Sequence, residues 1–229
     1  MGYAALYYHW DLAGGENEFK RAIQLNDDYA TGHQWYGNLL TAAGRFPMAV
    51  QEMQRAQQVD PLSLIAKAAE AWVHHFAGEN ALALQRLRSV FATNPDFAVA
   101  LTWGGDALAE MDSLPQAIAM HRRLLALSDS SALNIATLAR TLAVAGQQPE
   151  ARRLLDVLLS RNAAGKYVPS YDVAKVYAAL GQNSDAFTWL EKARVQRSHS
   201  MVFLKVDPAL RALRRDNRFP ALVAQVLPE

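Results

Sequence analysis

The chain holds 229 residues, 51% of them hydrophobic and 20% charged, a balance that can bury a continuous core and excludes a disordered segment. A formal net charge of +1 supplies no long-range field to recruit nucleic acid or an anionic membrane surface. A sequence without cysteine excludes disulfides, thiolate metal sites and thiol nucleophiles, and leaves the redox compartment open.

The N-terminal stretch MGYAALYYHWDLAGG lacks the basic start and long apolar run of a signal peptide. No apolar run in the chain approaches the roughly 20 residues of a membrane-spanning helix. A soluble, cytoplasmic chain without membrane insertion is expected. Compared with itself at fixed offsets, the sequence repeats. Ala49, Ala83, Ala117 and Ala151 stand 34 residues apart, in the frames RFPMAVQEM, ENALALQRL, SLPQAIAMH and QQPEARRLL. Five residues before each stands Gly44, Gly78, Asp112 or Gly146, turn formers suited to a helix C-terminus and a tight connection. Pro61 and Pro95, also 34 apart, fall where one helix has ended and the next is about to start.

This pattern resembles the tetratricopeptide (TPR) family, whose 34-residue unit is a helix-turn-helix with small residues at the helix crossing. The unit from Ala30 to Ser63 matches best, with Gly37 and Ala49 at the close-packing positions, Met53 and Ala56 on the second helix, and Pro61 closing it. A later unit starts near Tyr167, after the expanded linker SRNAAGKYVPS, with Tyr177, Gly181, Ala186, Leu190 and Ala193 in the matching places. Five repeats are expected, at about 30–63, 64–97, 98–131, 132–166 and 167–198. A partial repeat over 1–29, carrying Phe19 and Ala22, precedes them. A cap over 199–229 follows, with Leu210, Leu213, Phe219, Leu222 and Val226 as its apolar residues. The resemblance implies an all-α, right-handed superhelical solenoid with a concave groove, serving as a binding or scaffolding module rather than an enzyme. The C-terminal stretch WLEKARVQRSHSMVFLKVDPALRALRRDNRF also resembles repeat arrays attached to bacterial regulators, which implies the sensing or partner-binding part of a larger protein.

With the helix phase taken from Gly37, the groove-facing residues are Gln34 and Asn38, then Trp72 and His75, then Thr102 and Asp106, then Arg140, and last Tyr171 and Lys175. Rings with interspersed amides and charges suit a peptide or a partner helix. The plainer reading makes Trp72 and Trp103 core residues, with Trp10, Trp35 and Trp189 also packing. A carboxylate clamp is excluded, because the second repeat offers Ala68, Ala69 and Trp72 where the clamp needs polar groups. The basic cluster Lys192, Arg194, Arg197, Lys205, Arg211, Arg214, Arg215 and Arg218 reads as a solvated surface.

Catalytic signals are unspecific. His74 and His75 point about 100 degrees apart on a helix, so they cannot chelate one metal ion, and one buried and one exposed ring are expected. LAGGENEFK lacks the Gly-Lys-Ser/Thr ending that cradles phosphate, and SHS around His199 lacks a nucleophile-elbow frame. Asp106 and Glu110 form a one-turn carboxylate pair of the kind common on solvated faces. No cofactor, metal or nucleic acid is expected.

Two functional classes follow. A protein or peptide scaffold predicts an open, wet, polar groove. A ligand-sensing regulatory domain predicts an enclosed, largely apolar pocket lined by Trp72, Phe76, Trp103 and Tyr171. Homo-oligomerisation through repeat ends is a further possibility.

Overall fold

The computed structural model describes residues 1–128 and 131–228, and the described residues form helices and turns. Helix α1 (Gly2–Ala4) continues as a π-helical turn (Ala5–His9) and is followed by α2 (Leu12–Leu25). Five antiparallel pairs come next: α3 (Ala30–Ala42) with α4 (Phe46–Val59), α5 (Leu64–Phe76) with α6 (Asn80–Thr93), and α7 (Ala98–Glu110) with α8 (Leu114–Ala126). The last two are α9 (Ala132–Val144) with α10 (Gln148–Ala163), and α11 (Ser170–Ala179) with α12 (Asn183–Val195). Residues 129, 130 and 229, which belong to the expected 98–131 unit and the expected cap, lie outside the described residues. Among the described residues no helix is long and apolar enough to cross a membrane.

The 34-residue spacing has a packing cause. Ala49, Ala83, Ala117 and Ala151 are at most 1% exposed and lie on the second helices where each crosses its first helix. At Gly37 an added Cβ would come within 2.7 Å of Met53 Cε and 3.3 Å of the Ala49 carbonyl, so α3 and α4 approach through a missing side chain. Each second helix then packs on the first helix of the next unit, and successive first helices touch one another. This stacking makes an all-α superhelical solenoid.

The turn formers also have a conformational cause. Gly44, Gly78 and Gly146 have φ of 73°, 82° and 73°, and Asp112 takes the same left-handed place at 58°. At each, two backbone bonds close the helix end, as with Arg45 N–H to the Leu40 carbonyl (2.8 Å) and Gly44 N–H to the Thr41 carbonyl (2.9 Å). Asp112 alone of the four carries a Cβ there. Asp112→Gly is therefore expected to raise stability by about 0.5–1 kcal/mol, measured by urea denaturation.

Two parts of the chain depart from the expectations. The expanded linker adds two or three residues to α10, which runs to Ala163, and then a turn at 164–165 and a non-helical stretch to Pro169. Proline biases the preceding Val168 away from helical backbone, so α11 starts at Ser170 and leaves Tyr167 77% exposed. The stretch over 199–229, expected as an end cap, divides in two. Helix α13 (Arg218–Val226) packs on α12, with Phe219, Leu222 and Val226 buried. The preceding 3-10 turns, His199–Phe203 and Pro208–Arg215, instead run back across the concave face. The first reaches α3 and the N-terminal π turn, and the second reaches α11. Met201, Val202, Leu204, Leu210 and Leu213 are fully buried in this crossing.

Candidate functional site

The first helices present one side to the interior of the superhelix, and the returning segment covers part of it. The result is a cavity of about 480 Å³. All nine residues assigned to the groove from the Gly37 phase line this one chamber, together with Phe76 and Trp103.

At the N-terminal side, Asn38 Nδ2 donates to the Tyr7 hydroxyl (3.1 Å), so this buried amide is engaged in holding the π turn. Burial pushes the Tyr7 hydroxyl well above its ordinary pKa. Trp35, expected to pack, is half-buried and meets Tyr3 and Tyr7 edge-on at 4.8 and 5.7 Å. Gln34 lies beside it on the lining.

The middle is an aromatic wall. Trp72 and Phe76, one turn apart on α5, have centroids 4.6 Å apart, and Trp103 of α7 lies 5.8 Å from Trp72. Phe203 of the returning segment stands edge-on to Trp72 at 5.0 Å. Trp72 and Trp103 thus serve both as packing and as cavity wall. Thr102 turns its hydroxyl back to the Ala98 carbonyl (3.0 Å). Contrary to the expected split, both adjacent histidines are buried: His74 Nδ1 meets Glu79 (2.7 Å) and His75 Nδ1 meets Asn80 (2.8 Å). Helix α5 is flanked by α3, α4, α6 and α7, so faces 100 degrees apart are both covered.

The C-terminal side is ionic. Arg140 of α9, 5% exposed, forms an ion pair with Asp106 of α7. Burial alone would raise the pKa of Asp106, but Arg140, with His121 and Lys175 behind it, holds the carboxyl down at about 2. Lys175 Nζ lies 3.1 Å from Asp172 and 3.8 Å from Asp207. Burial disfavours its ammonium, yet these carboxylates raise its pKa above the ordinary value. The Tyr171 hydroxyl donates to Asp207 (3.0 Å), and Asp207 also accepts from the Ala209 N–H (2.9 Å). Asp106 and Glu110 are not a solvated pair: Glu110 is 3.3 Å from Arg211.

Sequence reasoning missed the contribution of residues 198–209, chiefly Phe203 and Asp207. The signal was the apolar run MVFL followed by Asp-Pro, which is too short for a helix yet wholly apolar. Most of the basic cluster is engaged. Lys192 lies over Trp189, Arg197 over Trp10 and Arg218 over Phe187, while Arg194 pairs with Glu191 and Arg214 donates to the Asp207 carbonyl (2.9 Å). Among the described residues no group of three or more His, Asp or Glu side chains is arranged to hold a metal ion.

No protein-family model and no curated protein sequence matches the chain. Solved structures do. PilW, a widely conserved type IV pilus biogenesis factor, superposes with a TM-score of 0.61 at 18% identity, over 86% of this chain and 91% of that one. A thermophilic TPR protein of Thermus thermophilus gives 0.59 at 18%, over 86% and 98%. A tetratricopeptide repeat protein of Parabacteroides merdae gives 0.55 at 17%, over 99% of both chains. At such identities the shared property is architecture, and with its paired helices, buried crossing alanines and left-handed turn residues this chain has the tetratricopeptide-repeat fold.

Proposed function

We propose that this chain is a non-catalytic recognition module that takes a compact ligand inside its superhelix, as the sensing part of a cytoplasmic regulatory protein. We divide it accordingly into a partial repeat (1–29), five repeats (30–198) and a C-terminal element (199–229). One observation carries the reading: the inward-facing residues of all five first helices converge on one chamber partly roofed by the chain's own segment. An extended peptide lying along the groove would have to displace that segment. Exposing five fully buried aliphatic side chains costs on the order of 10 kcal/mol at about 1.5–3 kcal/mol each, comparable to an entire micromolar to nanomolar binding energy. A small molecule, or one side chain of a partner, needs no such displacement. A cavity of this volume, with aromatic walls and a few placed polar groups, is of the kind such ligands occupy.

The test is a thermal-shift screen of a metabolite library, with hits followed by tryptophan emission. A ligand at about 100 times its Kd adds roughly 2.7 kcal/mol, or about 5–10 °C for a chain of this size. Thr102→Trp should fill the chamber from a half-exposed position and abolish the shift. Hits that stabilise this variant as much as the parent bind elsewhere and refute the reading.

A further inference from the structure

We propose that the chamber selects an organic cation: an ammonium group carried on an apolar or aromatic body. This deepens the reading above and rests on it. The charged residues lining the cavity are Asp106, Asp172, Asp207, Arg140 and Lys175, three anions against two cations. Both cations are already committed. Arg140 is paired with Asp106, and Lys175 sits between Asp172 at 3.1 Å and Asp207 at 3.8 Å, 5.6 Å from the centroid of the Tyr171 ring. An incoming carboxylate or phosphate would therefore have to displace a resident carboxylate from a formed pair. A cation meets a lining with one uncompensated negative charge. Arg214, which donates to the Asp207 backbone carbonyl, also acts on Tyr171, but it is exposed and lies outside the lining, where water screens its charge.

The opposite wall favours the same sign. Trp72, Trp103, Phe76 and Phe203 present ring faces and edges beside the ionic side. Ring faces are the negative part of an aromatic quadrupole, and they attract ammonium groups by about 0.5–2 kcal/mol, more where water is excluded. Neutral organic bodies would gain from the wall, but not from the charge. Anions would be disfavoured by the charge and would gain nothing from the ring faces. The ligand class that uses both walls is an amine or quaternary ammonium with a hydrophobic body small enough for about 480 Å³.

Three probes of matched shape separate these cases: 3-phenylpropylamine, 3-phenylpropanol and 3-phenylpropionate. Binding is followed by calorimetry and by quenching of tryptophan emission at about pH 8, where the amine probe carries its charge. The amine is expected to bind about ten-fold or more tighter than the alcohol, and the carboxylate weakest of the three. Two variants move the charge in opposite directions. Asp172→Asn removes one carboxylate and should weaken the amine about five-fold, whereas Lys175→Met frees two carboxylates and should tighten it by a similar factor. If the Lys175 variant fails to fold, as judged by circular dichroism, the Asp172 variant alone decides the charge dependence. A carboxylate that binds as well as the amine, an alcohol that equals the amine, or an amine affinity unchanged by Asp172→Asn overturns the proposal. In each of these cases loss of the probe's binding in Thr102→Trp would keep the chamber as the recognition site. Failure of all three probes also overturns it, and the library screen with the Thr102→Trp control then decides separately whether the chamber binds anything.

Discussion

Arg140→Ala is expected to destabilise the chain by about 2–4 kcal/mol near neutral pH, because it strands the largely covered Asp106, whose side chain is 16% exposed, without its partner. The pair joins α7 to α9, so the loss falls at the boundary between consecutive repeats. The pH dependence identifies the cause. In the parent, the folded-state pKa of Asp106 is about 2, below the ordinary 3.8. Its contribution to stability is therefore complete above the ordinary value and lost as pH falls toward 2. In the variant the leading opposing charge is gone, and burial carries the Asp106 pKa above the ordinary value. Its penalty is then greatest near neutrality and relieved on acidification. Urea denaturation of both proteins from pH 7 to pH 3 should show the gap narrowing steadily. A gap independent of pH would mean that Arg140 stabilises through packing of its side chain alone.

Gly105→Ala should cost about 3 kcal/mol or more, an overpacking penalty with a broken hydrogen-bond set added to it. An added Cβ would lie 2.2 Å from Nε2 and 2.5 Å from Cδ2 of His121. That ring is fully buried, with Nε2 3.1 Å from the Thr102 carbonyl and Nδ1 2.8 Å from the Thr141 hydroxyl, so it has no free end to swing away. His121→Ala alone opens a void. The double variant puts the new methyl into that void, and it should be more stable than the sum of the single losses predicts, by about 1–3 kcal/mol. Additive losses in a denaturant-based cycle would show that the two positions do not share space.

The period was readable because it is imposed by something the sequence cannot hide. An alanine at each helix crossing and a left-handed residue at each turn are steric requirements, and they recur as Ala49, Ala83, Ala117 and Ala151 with Gly44, Gly78, Asp112 and Gly146. Helix phase follows from the same marks, which is why residues as far apart as Gln34 and Lys175 could be assigned to one side of the stack. The roof of the chamber was not readable. The first 3-10 turn, His199–Phe203, carries no helical period, and although Pro208–Arg215 is amphipathic, with Leu210 and Leu213 buried on one side, the course of both is decided by docking against α3, α11 and the N-terminal turn, far away in sequence. The state of the polar lining was hidden for a related reason. Asn38, Arg140 and Asp106 looked available to a ligand, but their partners Tyr7, Asp106 and Arg140 come from other helices, and only tertiary packing brings each pair together.

The return of the C-terminal segment has a consequence for folding. A linear repeat array is held by nearest-neighbour contacts, so its terminal units can fray while the middle persists. Here Tyr7 meets His199 and Phe203 at 6.1 and 6.3 Å, and Arg197 lies 4.8 Å from the Trp10 ring centre, which ties the first turn of the chain to its last thirty or so residues. The loop closed by these contacts spans nearly the whole chain, so they form late and at a large entropic cost. Once formed, the N-terminal turn cannot open without breaking its contacts to the returning segment. The stack closed by these contacts then melts as one unit, with amide exchange in α2 slowed toward the rate of global opening.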